Sequence, residues 1–67
     1  YLYRIYLANA YGAMGNSAAA IEQARNVVRG WPNDPWALFY AAVRLEESGA
    51  VGEAIDAYKK SLALGFK

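Results

Sequence analysis

The side chains that could act as nucleophiles or bases are few in this sequence. Ser17, Ser48 and Ser61 carry hydroxyl groups, but the chain has no histidine and no cysteine. A serine nucleophile needs a base beside it to accept its proton, and histidine most often fills that role. The same two absences remove the commonest ligands of zinc. We therefore expect the serines to have structural roles.

The carboxylates are the other candidates for acid–base or metal chemistry. Glu53 and Asp56 are one helical turn apart and would share one face of a helix, but Lys59 and Lys60 follow one turn later. That spacing is typical of a solvated face with salt bridges between neighbouring turns. With Glu46 and Glu47 added, the carboxylates still lack the closely spaced loop pattern of a calcium or magnesium site.

Two pairs of spaced glycines could suggest a phosphate-binding loop. They are Gly12 with Gly15 and Gly49 with Gly52, and neither pair follows a predicted strand or precedes the lysine that such a loop requires. They are interpreted as turn glycines. We therefore predict that the protein is not an enzyme and has no metal or cofactor.

Composition and charge restrict the classes of partner that the protein is expected to bind. The chain has 67 residues and a formal net charge of +1 with both signs interspersed, which is too balanced for an electrostatic grip on nucleic acid or an anionic membrane. The longest apolar run, Trp36 to Val43, is far shorter than the roughly 20 residues that span a bilayer.

No signal-peptide pattern opens the chain, which starts inside a periodic pattern. We expect a fragment of a longer repeat protein and leave its compartment open, with cytoplasm as the default.

Glycine, proline and small polar residues divide the chain into four stretches of helical length. The breaks lie at 15–17, 30–35 and 48–52, and no stretch alternates with the period of two that marks a strand. We predict an all-α fold with helices at about 2–14, 18–30, 35–48 and 52–64. Because the connections are short, consecutive helices should be antiparallel and form two hairpins.

The helix starts differ in how clearly the sequence marks them. Asp34 can accept hydrogen bonds from the free amides of the third helix, and Pro35 suits its first position. Ser17 is the expected cap of the second helix. The fourth helix has no capping residue near Gly52, so its start is the least defined.

The two halves of the chain are related by a constant shift along the sequence, which we call the repeat offset. Five identities define it: Tyr6/Tyr40, Ala8/Ala42, Gly15/Gly49, Ala20/Ala54 and Ile21/Ile55. Their placement matters more than their number, because both glycines fall in the turns inside the hairpins, where a left-handed residue ends a helix at little cost. The alanines are expected where two helices approach closely.

In these residues the chain resembles the tetratricopeptide repeat (TPR) family, whose period of about 34 residues equals the repeat offset. The resemblance predicts a TPR-like α–α superhelix with one repeat at 1–34 and a second at 35–67. Three residues depart from the family pattern. Arg4 stands where the family prefers a large apolar residue, Ala24 replaces an aromatic residue, and Phe66 replaces the proline that closes a repeat. RNA-binding pentatricopeptide repeats look similar, but their period is slightly longer and they suit a nearly neutral chain poorly. The residues that carry the resemblance are Leu7, Ala8, Tyr11, Gly15, Ala20, Ile21, Pro32, Leu38, Ala42, Leu45, Gly49, 53–58 and 62–64.

Helical spacing separates a core face from a second face on the first helix of each hairpin. We expect the core faces to pack on the second helices of the hairpins. The core prediction comprises Leu7, Ala8, Tyr11, Leu38, Ala41, Ala42 and Leu45, packed on Ala20, Val27, Val28, Ala54, Tyr58 and Leu62.

The resemblance gives the second face a function. In TPR-like proteins the first helices line a concave groove that binds a peptide or a partner protein, here one with apolar anchor residues. The binding-site candidates are Leu2, Ile5, Asn9, Gly12, Ala13, Trp36, Phe39, Val43, Glu46 and Glu47. The chaperone-binding members of the family clamp a peptide carboxylate, but only Asn9 matches that clamp. Ile5 stands where it needs a lysine and Tyr40 where it needs an asparagine.

An alternative interpretation assigns the apolar face a structural role. Trp36, Phe39 and Val43 make the third helix apolar on nearly every side, and such a helix is expected to be covered all round. Neighbouring repeats or a second copy of the chain could supply that cover, because stacked repeats bury a continuous core. Both the ligand groove and self-association therefore remain open.

Overall fold

A computed structural model describes residues 1–65 and contains four α-helices in that range. They are α1 (Leu2–Ala13), α2 (Ser17–Gly30), α3 (Pro35–Glu47) and α4 (Val51–Ala63). The predicted all-α fold of two hairpins is confirmed, and each helix boundary lies at its expected position or at the position next to it. Phe66 lies outside the described residues. Within them, no helix is long and apolar enough to cross a membrane.

The helix starts confirm two of the three expectations and correct the third. The Asp34 carboxylate accepts hydrogen bonds from the amides of Trp36 and Ala37, with Pro35 in the first turn, while α4 begins after Ala50 without a side-chain cap. The prediction that Ser17 caps α2 is wrong. Asn16 is the cap, and its Oδ1 accepts from the Ala19 amide at 3.2 Å, since asparagine is at least as good an acceptor at this position as serine.

The turns inside the two hairpins have the same geometry. Gly15 and Gly49 adopt left-handed φ values of 80° and 93°. In the first turn the amides of Gly15 and Asn16 donate to the carbonyls of Gly12 and Tyr11, and the second turn repeats this pair of hydrogen bonds at the repeat offset. This is the Schellman motif, in which a left-handed glycine allows the chain to satisfy the last helical carbonyls. The turn therefore follows from local sequence in both repeats.

The core runs continuously from one hairpin into the other. Ala24 and Val27 of α2 belong to the same buried cluster as Ala41 and Leu45 of α3 and Ala54 of α4. Helix α3 packs against all three other helices, which explains why its sequence is apolar on several sides. The expected close approaches are confirmed, because four alanines of the repeat pattern are buried. They are Ala8, Ala20, Ala42 and Ala54.

One core expectation is wrong. Leu62 was expected in the core, but it is 65% exposed. Its counterpart in the first repeat, Val28, is partly buried because it packs on the cluster that α3 and α4 complete, and no described helix lies against α4 in the same way. Arg4, the departure from an apolar position, is exposed and donates to the Gln23 side chain at 3.1 Å.

An ion pair joins the second helices of the two hairpins. Arg25 of α2 holds Glu53 of α4 through two hydrogen bonds, Nε to Oε1 at 2.8 Å and Nη2 to Oε2 at 2.9 Å. This paired geometry suits the planar guanidinium. The hydrogen bonds from Arg25 lower the pKa of the Glu53 carboxyl. Because both side chains are nearly half exposed, solvent screens the pair and its contribution to stability is small.

We expect the Glu53 carboxyl to titrate below the ordinary glutamate pKa, and Arg25→Gln to return that pKa to its ordinary range. The pair's contribution should be complete above the carboxyl pKa of the unfolded chain and should disappear as the pH falls through the folded-state pKa. A side-chain carboxyl NMR titration measures this. Arg29→Gln is the matched control, because Arg29 pairs with Glu22 instead. An ordinary Glu53 pKa in the unaltered protein would contradict the pairing.

Candidate functional site

A groove of about 250 Å³ lies between the first helices of the two hairpins. Helix α1 supplies one side and α3 the other, and the two helices are in direct contact. The groove therefore exists only because the hairpins stack. It is lined by Leu2, Ile5, Tyr6 and Asn9 from α1 and by Tyr40 and Arg44 from α3.

The groove has an apolar floor and aromatic sides. Ile5 forms the floor, since it is only 7% exposed and belongs to the buried core, whereas Leu2 beside it is 54% exposed and Tyr6 is 70% exposed. Tyr40 is half-buried, and its ring lies 6.0 Å from that of Trp36 and 5.9 Å from that of Phe39. These contacts hold the Tyr40 ring in place. The groove thus offers accessible apolar surface on a rigid base.

A polar pair closes one end of the groove. Arg44 Nη1 donates to Asn9 Oδ1 at 2.8 Å and to Glu47 Oε1 at 2.7 Å. Because a guanidinium only donates, it fixes the Asn9 amide with its oxygen toward Arg44, and the Asn9 NH₂ group becomes the donor available to a ligand. Arg44 Nε is buried without a hydrogen-bond partner in the described part of the chain. Both of these hydrogen bonds use Nη1, so this corner of the guanidinium holds the Arg44 side chain in place.

Three of the ten predicted site residues, Leu2, Ile5 and Asn9, meet in this groove. Ile5 differs from its expected place on an open face, because it is also part of the core. Gly12 and Ala13 are exposed at the end of α1, away from the groove lining.

The five candidates from α3 lie elsewhere than in this groove. Trp36 is half exposed, and Phe39 and Val43 are half-buried. Phe39 also packs edge-on against Tyr58 of α4 at 5.8 Å. The two remaining candidates, Glu46 and Glu47, are exposed and engaged in hydrogen bonds within the chain.

The carboxylate of Glu46 is hydrogen-bonded to a side chain of α4. Tyr58 Oη donates to Glu46 Oε1 at 2.9 Å. Partial burial first, and then this hydrogen bond, raise the pKa of the Tyr58 phenol. Since Glu46 accepts from Tyr58 while Glu47 accepts from Arg44, both carboxylates orient neighbouring groups of the protein.

Sequence reasoning missed three of the residues that line the groove: Tyr6, Tyr40 and Arg44. A signal existed, because Tyr6 and Tyr40 are identical at the repeat offset and Arg44 lies one turn beyond Tyr40 on the same face. The sequence pattern of α3 alone does not show which of its faces lies against α1. It depends on the rotation between the stacked hairpins.

A larger cleft of about 520 Å³ lies between the second helices, α2 and α4. Leu38 and Leu45 line its base and are almost completely buried. Its rim is charged, and Arg25 and Glu53 on that rim neutralise each other. The smaller groove between α1 and α3 is the better candidate site, because two aromatic side chains, Tyr6 and Tyr40, line it and, among residues 1–65, none lines the larger cleft.

Ser61 has a structural role in the described part of the chain. Ser61 is buried and donates to the carbonyl of Pro35 at 2.8 Å, which links α4 to the start of α3. Within residues 1–65 no group of acidic side chains is arranged to hold a metal ion.

Comparison of the chain with protein-family models, with curated proteins and with solved structures finds no match. Function is therefore inferred from the groove itself.

Proposed function

We propose that the protein is a TPR-like scaffold that binds a segment of another protein in the groove between α1 and α3. The observation that carries this proposal is the combination of accessible Leu2 and Tyr6 with the hydrogen-bonded pair of Asn9 and Arg44 at one end. Apolar contact area with a few placed polar groups is the usual composition of a peptide-binding surface.

The ligand that fits is an extended peptide with an apolar side chain. That side chain would contact Leu2 and the rings of Tyr6 and Tyr40 above the Ile5 floor. The Asn9 NH₂ group calls for an acceptor, which a carbonyl group of an extended peptide supplies. The groove holds one such side chain, so further contacts would come from the adjoining exposed surface of α1 and α3.

The test begins with selection of short peptides from a displayed random library on the full chain, followed by affinity measurement by fluorescence anisotropy. Tyr6→Ala should weaken the selected peptides about 30-fold, equivalent to about 2 kcal/mol for an aromatic anchor. Asn9→Ala should weaken them about tenfold, the worth of one hydrogen bond in the bound state. Both residues are exposed, so both variants should fold.

Tyr3→Ala is the matched control. Tyr3 is on the same helix and is 74% exposed, but it does not line the groove, and its loss should leave the affinity unchanged. Selection of no binding peptide, or equal weakening by Tyr6→Ala and Tyr3→Ala, would refute the proposal.

A further inference from the structure

Arg44 is a largely buried arginine that reaches from the second hairpin to the first. Its side chain is only 20% exposed, although it lines the groove between α1 and α3. Its Nη1 atom carries two hydrogens, and it donates to the Asn9 side chain of α1 at 2.8 Å and to Glu47 of α3 at 2.7 Å. The guanidinium is thereby fixed between a groove residue and a carboxylate.

The buried position of Arg44 costs the fold stability. Its Nε atom has no hydrogen-bond partner among the described residues, and a buried donor without an acceptor keeps its full desolvation penalty. The repeat pattern does not require an arginine, because the counterpart of Arg44 at the repeat offset is Ala10. Well-packed apolar side chains commonly replace buried charged groups without loss of stability. The buried, unsatisfied Nε therefore calls for an explanation other than stability.

The contact with Arg44 determines which group Asn9 presents to the groove. A side-chain amide has an acceptor oxygen on one side and a donor NH₂ group on the other, and rotation exchanges their places. Because the guanidinium only donates, the opposite orientation of the Asn9 amide would bring two donor groups together and lose the hydrogen bond. The Asn9 oxygen therefore faces Arg44, and the NH₂ group is left for a ligand.

We propose that Arg44 is a positioning residue for the groove: it holds Asn9 as a hydrogen-bond donor, so that the bound segment must place a carbonyl oxygen opposite Asn9. The inference rests on the proposed binding of a peptide in this groove. Arg44 acts through Asn9, and a fixed amide avoids the entropy cost of ordering a mobile side chain when the ligand binds. The groove rejects a segment that places an N–H group at this point, because two donors would face each other there.

The test is a double-mutant cycle on the affinity of the tightest peptide selected from the displayed library. Arg44→Met retains an unbranched apolar stem and removes the donors, and it should weaken binding about fivefold, because Asn9 must then be ordered on binding. In the Asn9→Ala background the same substitution should leave the affinity unchanged, because no amide remains to be held. Arg29→Met is the matched control, since Arg29 is on α2 and outside the groove lining, and it should bind like the unaltered chain.

Stability measurements separate positioning from a structural role. Arg44→Met should leave the urea midpoint unchanged or raise it, because the substitution also removes the buried Nε. Asn9→Asp should stay folded, since a carboxylate accepts from Arg44 more strongly than an amide does. It should nevertheless weaken the peptide at least about tenfold, because a carboxylate has no hydrogen to donate. Both variants should therefore lose affinity without losing stability.

A measurement without peptide tests the positioning directly. Nitrogen-15 relaxation of the Asn9 side-chain NH₂ group should show an ordered amide in the unaltered chain and a mobile amide in Arg44→Met. A mobile Asn9 amide in the unaltered chain would overturn the proposal even if peptides bind.

Three other results would also overturn it. They are a lower urea midpoint for Arg44→Met, which indicates a structural role, full peptide affinity in Asn9→Asp, and a fivefold loss on Arg44→Met that persists in the Asn9→Ala background. The last of these indicates that Arg44 contacts the ligand itself. Failure to select any binding peptide would refute the proposed function and this inference together, whereas each of the other results refutes the inference alone.

Discussion

Leu38→Ala should lower the free energy of unfolding by about 2–5 kcal/mol, the range for truncating a fully buried leucine. Leu38 has no exposed surface and lies on α3, the helix that contacts all three others, so the cavity cannot close by a shift of one neighbour. A core of this size supplies only about 3–5 kcal/mol in total. We therefore expect the variant to be largely unfolded at room temperature in urea denaturation followed by far-ultraviolet circular dichroism.

The matched control is Leu62→Ala. It is the same substitution on a helix, but at a side chain that is 65% exposed, and its effect should stay within about 0.5 kcal/mol. Equal losses in the two variants would show that Leu38 is not enclosed. The control also tests whether Leu62 lies outside the core, because a large loss of unfolding free energy in Leu62→Ala would show that this side chain is buried.

The same pair of residues shows where sequence reasoning succeeded and where it failed. Leu38 was predicted in the core because its helical face is apolar within its own hairpin, and that is a local property. Leu62 was predicted there for the same reason, but it is exposed because no described helix covers its side of α4. The turns at Gly15 and Gly49 could be predicted because a few adjacent residues determine them.

The candidate site was predicted in part for a related reason. Leu2, Ile5 and Asn9 lie on one face of α1, and the helical period identifies such a face. The residues of α3 that complete the groove, Tyr40 and Arg44, lie on the side that faces α1. The orientation of the second hairpin relative to the first determines which side of α3 faces α1. The sequence pattern within one helix does not determine this orientation. The TPR assignment itself stays a prediction.

Ala54→Leu should destabilise the protein by about 1–3 kcal/mol through overpacking. Ala54 is 1% exposed and belongs to the buried cluster between α3 and α4, so the added carbon atoms have no space unless the helices separate. Its counterpart Ala20 is fully buried in the first hairpin, which indicates that a small side chain at this position sets the spacing of both hairpins. The loss should appear as a lower urea midpoint with an unchanged slope, since the fold and its exposed area on unfolding stay the same.

Ala63→Leu is the control for Ala54→Leu, because Ala63 is on the same helix and exposed. Alanine and leucine differ little in helix propensity, so the control should retain the stability of the unaltered protein and isolate the effect of packing. An Ala54 variant as stable as the Ala63 variant would mean that α3 and α4 can separate without cost. In that case the alanines at the repeat offset would not set the helix spacing, and the relation between the two repeats would depend on the glycine turns alone.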